Sequence, residues 1–184
     1  PQAVLVGAAT GGNIALLAAS QYRDRIAALV VADPGLSLDA KISSDVKEEI
    51  VKNFRFPDFA SAKAAMPFST LWSQNMKDHY ASHGFKQLES GEVEWRYHPP
   101  GAQYTEGLLE QDMWDDISVT CPTLMMRGAT SHVFPAHNML RLGELIPRSE
   151  AHVIHDCDHR VSQDQPAFMA ALIDDFVKRR VDGT

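Results

Sequence analysis

The stretch Val4–Gly12 reads V-L-V-G-A-A-T-G-G, and it decides how the rest of the chain is interpreted. The residues Ala3–Val6 form an uninterrupted apolar run that is typical of a buried β-strand. A helix-like run begins at Gly11, four residues after the strand pattern breaks at Gly7. Glycines at such a junction let a strand and a helix pack closely. The stretch therefore predicts a strand, a tight turn and a helix.

This turn matches the nucleophile-elbow pattern G-x-S-x-G at every defined position except one. Gly7 and Gly11 occupy the two glycine positions, and Ala9 stands where the pattern has serine. The serine of such an elbow is held exposed on a strained turn so that its hydroxyl can attack a carbonyl. A methyl group has no such reactivity. The sequence thus predicts the architecture that carries a nucleophile, without the nucleophile itself.

Composition limits the classes of function that need consideration. The chain has 184 residues, of which 45% are hydrophobic, enough for a core. Its 24 acidic and 17 basic residues give a net charge of −7, which argues against nucleic-acid binding. No apolar run reaches the roughly 20 residues of a membrane span. The two cysteines, Cys121 and Cys157, form no C-x-x-C motif, and a reducing, cytoplasmic location is expected. Because the chain starts at Pro1 almost directly in a strand, we expect a piece of something longer.

Strand and helix patterns alternate at both ends of the chain. Continuous apolar runs of this kind indicate strands buried on both faces, as in a parallel sheet covered by helices. The predicted fold class is therefore α/β. The predicted strands are Ala3–Val6, Ile26–Ala32, Thr123–Arg127 and Ala151–His155, and the predicted helices are Gly11–Tyr22, Ala136–Ile146 and Pro166–Arg180.

The intervening residues 37–118 lack this alternation and contain all three tryptophans. Their patterns predict a mainly helical insertion, or cap. The predicted elements are helices over Ser43–Asn53, Ala60–Ala65 and Phe68–His83 and a short strand over Glu92–Tyr97.

Four segments follow one another in an order that resembles the α/β-hydrolase fold family. They are the elbow, the run I-A-A-L-V-V-A-D-P that ends a strand at Asp33, the stretch C-P-T-L-M-M-R-G-A-T-S-H-V-F-P at 121–135, and V-I-H-D-C-D-H at 153–159. The likeness runs from the elbow strand of a capped bacterial member to the C-terminus. It implies a partial α/β-hydrolase sheet with helices on both faces, with residues 1–36 and 119–184 as core and 37–118 as a cap or lid.

The resemblance assigns roles to individual residues. His159 matches the catalytic base, and the amide of Thr10 matches one donor of the oxyanion hole. The usual position of the acid, three residues beyond Gly128, holds Ser131. The family's second position for the acid, at the end of the strand after the elbow helix, holds Asp33. Asp33-Pro34 is also a good turn, so a catalytic and a purely structural role for Asp33 both stay open.

The implied reaction is hydrolysis of an ester, a lactone or a similar small acyl compound, with no cofactor. Phe68, Trp72 and Trp95 of the cap are expected to contact the small-molecule substrate. A metal site is not expected, because His152 and His155 would point to opposite faces of a strand. Cys157 lies two residues from His159, a spacing that rarely forms a working thiolate pair.

Two other functions remain open beside a hydrolase whose serine is replaced by alanine. One is a catalytically dead, hydrolase-like binding protein. The other is a cofactor-free oxygenase on the same fold, which uses a His/Asp pair without a serine. The family resemblance places the elbow strand in mid-sheet, so we expect Ala3–Gly7 to pair with a missing N-terminal half of the fold or with a second copy of the chain.

Overall fold

The structure is a computed structural model that describes residues 2–38, 55–66, 70–96 and 111–183. It divides into two compact units, Pro1–Leu38 with Gln111–Thr184, and Asp39–Glu110. In chain order the elements are β1 (Ala3–Ala8), α1 (Thr10–Gln21), β2 (Ile26–Ala32), β3 (Arg55–Phe56), α2 (Phe59–Ala65), α3 (Gln74–Gly84), β4 (Phe85–Gln87), β5 (Val93–Trp95), β6 (Thr123–Gly128), α4 (Ala136–Leu145), β7 (Ser149–Ile154), α5 (Val161–Asp164) and α6 (Pro166–Val177). A π-helical turn, Lys178–Asp182, follows α6.

The first unit is built on a four-stranded parallel sheet in the order β1-β2-β6-β7. The prediction of an α/β fold with a parallel sheet is confirmed. The two central strands, β2 and β6, are almost entirely buried, which explains why their sequences are continuously apolar.

Helices cover both faces of this sheet, because successive residues of each strand point to opposite sides. Leu29, Val31 and Met125 pack on one face against residues of α1 and α4. Val30 and Met126 pack on the other face in a cluster with residues of α5 and α6. The two hydrophobic clusters are the core that holds the carboxyl ends of the strands in place.

The second unit contains a small antiparallel sheet, β3-β5-β4, in addition to α2 and α3. The expectation of a mainly helical insertion included only one strand of this sheet, the one predicted over Glu92–Tyr97, which the structure has as Val93–Trp95. The predicted helix over Phe68–His83 begins only at Gln74, because Ser73 caps it by accepting a hydrogen bond from the Met76 amide at 3.1 Å. The predicted helix over Ser43–Asn53 lies outside the described residues.

Residues 111–118 belong with the first unit, although the sequence analysis placed them in the insertion. Trp114 and Ile117 are buried in the same hydrophobic cluster as α1 and β2. The guanidinium of Arg141, on α4, lies 4.2 Å from the centre of the Trp114 ring. The tryptophan-rich composition suggested an insertion here, but the side chain of Trp114 packs in the sheet core.

Candidate active site

The elbow is a strained turn between β1 and α1. Ala9 has φ 49° and ψ −125°, a conformation that residues with a Cβ rarely adopt. Its N–H donates to the carbonyl of Ala32 at 2.9 Å, and its own carbonyl accepts from the Gly12 amide at 2.8 Å. A Cβ on Gly7 would lie 2.2 Å from the Gly11 carbonyl oxygen, so only glycine permits this approach of strand and helix.

The strands end level with one another and bring the segments that follow all four of them to the same edge of the sheet. Ala8 pairs with Ala32 at the ends of β1 and β2. Beyond the strands the ladder continues, since the Asp33 amide donates to the carbonyl of Met126 at 2.8 Å. The Ala129 amide likewise donates to the carbonyl of Ile154 at 2.8 Å. The residues that follow β1, β2, β6 and β7 therefore share the carboxyl edge, where open α/β sheets bind ligands.

Asp33 and His159 meet at this edge across 126 positions of sequence. The His159 Nδ1 lies 2.9 Å from the Asp33 Oδ1, and the carboxylate side chain is completely buried whereas the imidazole is 29% exposed. A carboxylate only accepts, so Nδ1 carries the hydrogen and Nε2 is the nitrogen free to take a proton. This is the orientation that a general base needs. The structure thus brings together the acid and the base that the family resemblance suggested.

Two further donors converge on the Asp33 carboxylate. The Gly128 amide donates to Oδ2 at 2.8 Å, and the Ser131 hydroxyl donates to Oδ1 at 2.5 Å. Ser131 occupies the family's usual acid position, and there it donates a hydrogen bond to the carboxylate of Asp33. Sequence analysis considered Ser131 only as a missing acid. The available signal was its place, three residues beyond Gly128 and at the same edge as Asp33.

Packing and hydrogen bonds hold the segment that carries His159. The Asp158 amide donates to the buried Asp164 Oδ2 at 2.8 Å. Both the amide and the hydroxyl of Thr130 donate to the Cys157 carbonyl at 3.2 Å. A Cβ on Gly128 would lie 2.0 Å from the Asp158 carbonyl oxygen, so the two loops touch backbone to backbone. The backbone segment that carries His159 is therefore held in place.

Cys157 is buried in this network and is not suited to act as a nucleophile. Burial, followed by the negative charges of Asp164 and Asp33, raises the pKa of its thiol to about 12. A reactive cysteine requires the opposite environment, one that stabilises the thiolate. The thiol instead donates to the Asp158 carbonyl at 3.2 Å.

The elbow, the shared edge and the His159–Asp33 pair agree with the match of the family model described as "alpha/beta hydrolase fold" to residues 1–166. The chain belongs to the α/β-hydrolase fold family. It is 26% identical over 174 residues to the lipase LipV of Mycobacterium tuberculosis, a match that covers 92% of this chain and 66% of the relative.

Two other matches come from hydrolases. The 2-hydroxymuconate semialdehyde hydrolase of a Pseudomonas species is 24% identical over 181 residues, covering 96% of this chain and 62% of the relative. The crystal structure of E-2-(acetamidomethylene)succinate hydrolase superposes with a TM-score of 0.86 at 21% identity, covering 96% of this chain and 66% of that one. The chain spans less than two thirds of the length of these relatives.

The remaining predicted residues lie in both units. Thr10 is the first residue of α1, where a backbone amide has no partner within its own helix and is available to an anion. In the second unit, Trp72 and Trp95 each pack beside Tyr80, with ring centres 5.1 Å and 6.3 Å away. Phe68 lies outside the described residues. It stays a prediction that these residues belong to a cap and contact the substrate.

Two other kinds of site were sought in the described ranges. No group of three or more His, Cys, Asp and Glu side chains there could hold a metal ion. In the same ranges no helix has both the length and the apolar character that crossing a bilayer demands.

Proposed function

We propose that this chain carries the catalytic edge of a hydrolase for an ester, a lactone or a similar small acyl substrate, in a form whose nucleophile position is alanine. The observation that carries the proposal is the 2.9 Å contact between the His159 Nδ1 and the fully buried Asp33. A buried carboxylate that orients an imidazole at the same sheet edge as a strained elbow is the arrangement that activates a hydroxyl.

With serine at position 9, the reaction would proceed as follows. The hydroxyl proton passes to the His159 Nε2 while Oγ bonds to the substrate carbonyl carbon. The Thr10 amide donates to the resulting oxyanion, and the leaving alcohol takes the proton from His159 as the old bond breaks. Water then repeats these steps to release the acid. With Ala9 there is no hydroxyl to start the sequence, so the chain can orient a substrate but cannot form the acyl intermediate.

The Ala9→Ser variant tests this proposal with a fluorophosphonate probe, which phosphonylates an activated serine and releases fluoride. Intact-mass measurement should show one adduct on Ala9→Ser and none on the parent chain. The double variant Ala9→Ser/His159→Gln should label at least about 100-fold more slowly, because a general base contributes roughly 10²–10⁴ in rate. Labelling that does not depend on His159 would refute the proposed base.

Turnover by the Ala9→Ser variant should depend on a second oxyanion donor. Among the described residues the Thr10 amide is the oxyanion donor, and the family resemblance places its companion in a loop upstream of the elbow strand. One such donor contributes about 10²–10³ in rate. Hydrolysis of p-nitrophenyl esters by Ala9→Ser should therefore be about 10²–10³ faster when the upstream segment is supplied, and equal rates with and without it would show that another group completes the oxyanion hole.

The intact His159–Asp33 pair at the same sheet edge as Ala9 favours a second candidate, a cofactor-free oxygenase in which the imidazole removes a proton from an acidic substrate. Oxygen consumption by the unmodified chain with such substrates, abolished by His159→Gln, would support it. A catalytically dead binding protein is the third possibility. It would bind an ester reversibly, without turnover in either the parent chain or Ala9→Ser.

The two cysteines, Cys121 and Cys157, are both free and buried. This supports the proposal that the protein works in a reducing compartment such as the cytoplasm.

A further inference from the structure

Ser131 contacts Asp33 in a way that the proposed reaction does not yet use. Its hydroxyl donates at 2.5 Å to Oδ1, the same carboxylate oxygen that accepts from the His159 Nδ1 at 2.9 Å. The Ser131 side chain is buried, with an exposed fraction of 4% for the residue. The serine and the histidine therefore compete for the negative charge of one oxygen.

Backbone amides fix the direction of the Ser131 hydroxyl. Its Oγ accepts from the amide of Val133 at 3.2 Å and from the amide of Phe134 at 3.4 Å. A hydroxyl has two acceptor sites and a single hydrogen, so the hydrogen is left for Asp33. Hydrogen bonds in such a chain polarise one another, which strengthens the donation to the carboxylate.

The loop that carries Ser131 is itself held from below. The buried Arg127 guanidinium donates to three carbonyls of this loop, those of Ala129, Ser131 and Phe134, at 3.3, 3.0 and 2.6 Å respectively. The hydrogen bonds of the loop therefore hold the Ser131 hydroxyl in the orientation in which it donates to Asp33.

We propose that Ser131 is a positioning residue that controls how strongly Asp33 holds the proton of His159, by donating to the carboxylate oxygen that the imidazole uses. The inference rests on the proposed function, because it concerns the same His159–Asp33 pair. Donation by Ser131 withdraws negative charge from Oδ1. With the hydroxyl in place, a protonated imidazole therefore gains less from Asp33 than it would without it.

Charged and titratable groups on two further elements also belong to this network. Arg127 lies on β6, and Cys157, Asp158 and Asp164 lie on the segment that carries His159. Burial raises the pKa of the Cys157 thiol to about 12, so this thiol is neutral in the pH range in which a histidine titrates. The Asp158 and Asp164 carboxylates are unchanged by a substitution at Ser131, so a comparison of variants isolates the effect of its hydroxyl.

The titration of His159 in the unmodified chain tests the inference without any need for activity. The chemical shifts of the histidine rings are followed by NMR against pH, in protein whose histidines carry an isotope label. The His159 resonance is assigned by its loss in His159→Gln. Ser131→Ala should raise the titration midpoint by about half a pH unit, a change of about 0.7 kcal/mol. Ser131→Thr keeps the hydroxyl and should restore the parent midpoint.

Two controls separate the possible failures. Ser20→Ala removes a partly buried hydroxyl that also donates to a carbonyl and accepts from an amide, but on α1 away from the pair, and should leave the midpoint unchanged. Asp33→Asn should lower the midpoint by removing the charge. A lowered midpoint in Asp33→Asn with no rise in Ser131→Ala overturns the inference alone.

No change in Asp33→Asn would instead contradict the His159–Asp33 pair, and with it the proposed function. If Ser131→Ala does not fold, Ser131→Cys takes its place, because a thiol is a weaker donor and should move the midpoint in the same direction. A midpoint that stays at the parent value in Ser131→Cys would then overturn the inference.

Discussion

Replacing Gly128 with alanine should separate His159 from Asp33 without changing either residue. Gly128 contacts both partners, since its amide donates to the Asp33 Oδ2 at 2.8 Å and its Cα faces the segment before His159. An added Cβ would lie 2.0 Å from the Asp158 carbonyl oxygen and 2.9 Å from that of Cys157. Both atoms belong to the backbone, so no side-chain rotation can make room.

The size of the effect follows from these distances. An ordinary contact needs about 3.4 Å, so the Asp158 carbonyl must retreat by more than 1 Å. A shift of that size next to His159 is enough to break its 2.9 Å bond to Asp33. Overpacking costs about 1–3 kcal/mol, and a lost hydrogen bond to a charged group costs about 1.5–3 kcal/mol. Because partial relaxation offsets some of this, we expect the free energy of unfolding to fall by about 2–4 kcal/mol.

Urea unfolding followed by tryptophan fluorescence measures this loss, and the NMR titration of His159 reports whether the pair is broken. Gly143→Ala on α4 is the matched control, since its Cβ would meet no atom closer than 3.6 Å. Alanine at this helical position should stabilise the protein by about 0.5–1 kcal/mol. A loss below about 1 kcal/mol in Gly128→Ala, with the titration of His159 unchanged, would refute the argument that the two loops are in direct backbone contact.

Three further predictions concern the elbow, the thiol and the sheet edge. Ala9→Gly should stabilise the chain by about 1 kcal/mol in urea unfolding, because glycine adopts positive φ without strain; a loss of stability would contradict this. Cys157 should resist thiol reagents at pH 8 until the chain unfolds. Because the pKa of its thiol is about 12 in the folded chain and lower in the unfolded chain, the free energy of unfolding should fall as the pH rises from about 9 to about 12. The Cys157→Ala variant should lack this part of the pH dependence. In the described residues β1 pairs only with β2, and Val6 is 52% exposed. We propose that another part of the fold or a second copy of the chain covers this strand edge. Light scattering should therefore detect association that Val6→Lys weakens, and a stable monomer would show that the edge is protected.

The sequence was sufficient for the first unit because its strands are buried on both faces. The sequences of such strands are unbroken apolar runs, which are easy to recognise. The strand β2 was predicted with the bounds that the structure has, Ile26–Ala32. The helices of the first unit could also be predicted, because the residues that face the sheet are apolar at helical spacing. The strands of the second unit have only two or three residues each, which leaves little periodicity to recognise. The strand predicted over Glu92–Tyr97 corresponds to β5, but its antiparallel partners β3 and β4 were not predicted.

The acid could not be decided from the sequence for a different reason. Aspartate before proline is as good a turn as it is a catalytic group, so local sequence supports both roles of Asp33 equally. What distinguishes them is the approach of His159 from a loop 126 residues away, together with the donors from Gly128 and Ser131. That convergence depends on the register of three strand pairs, which no local pattern encodes.

The elbow shows which part of the motif specifies structure and which part specifies chemistry. Ala9 retains φ 49° and ψ −125° although it has no hydroxyl to present. Backbone conformations of this kind cost about 1–3 kcal/mol and persist only where the surroundings impose them. Here the surroundings are the contact of Gly7 with the Gly11 carbonyl and the hydrogen bond from the Ala9 amide to Ala32. The glycines and the neighbouring strand therefore build the turn, and the residue at its tip is free to change. For that reason the fold could be identified from a motif that lacks its serine, whereas the activity could not.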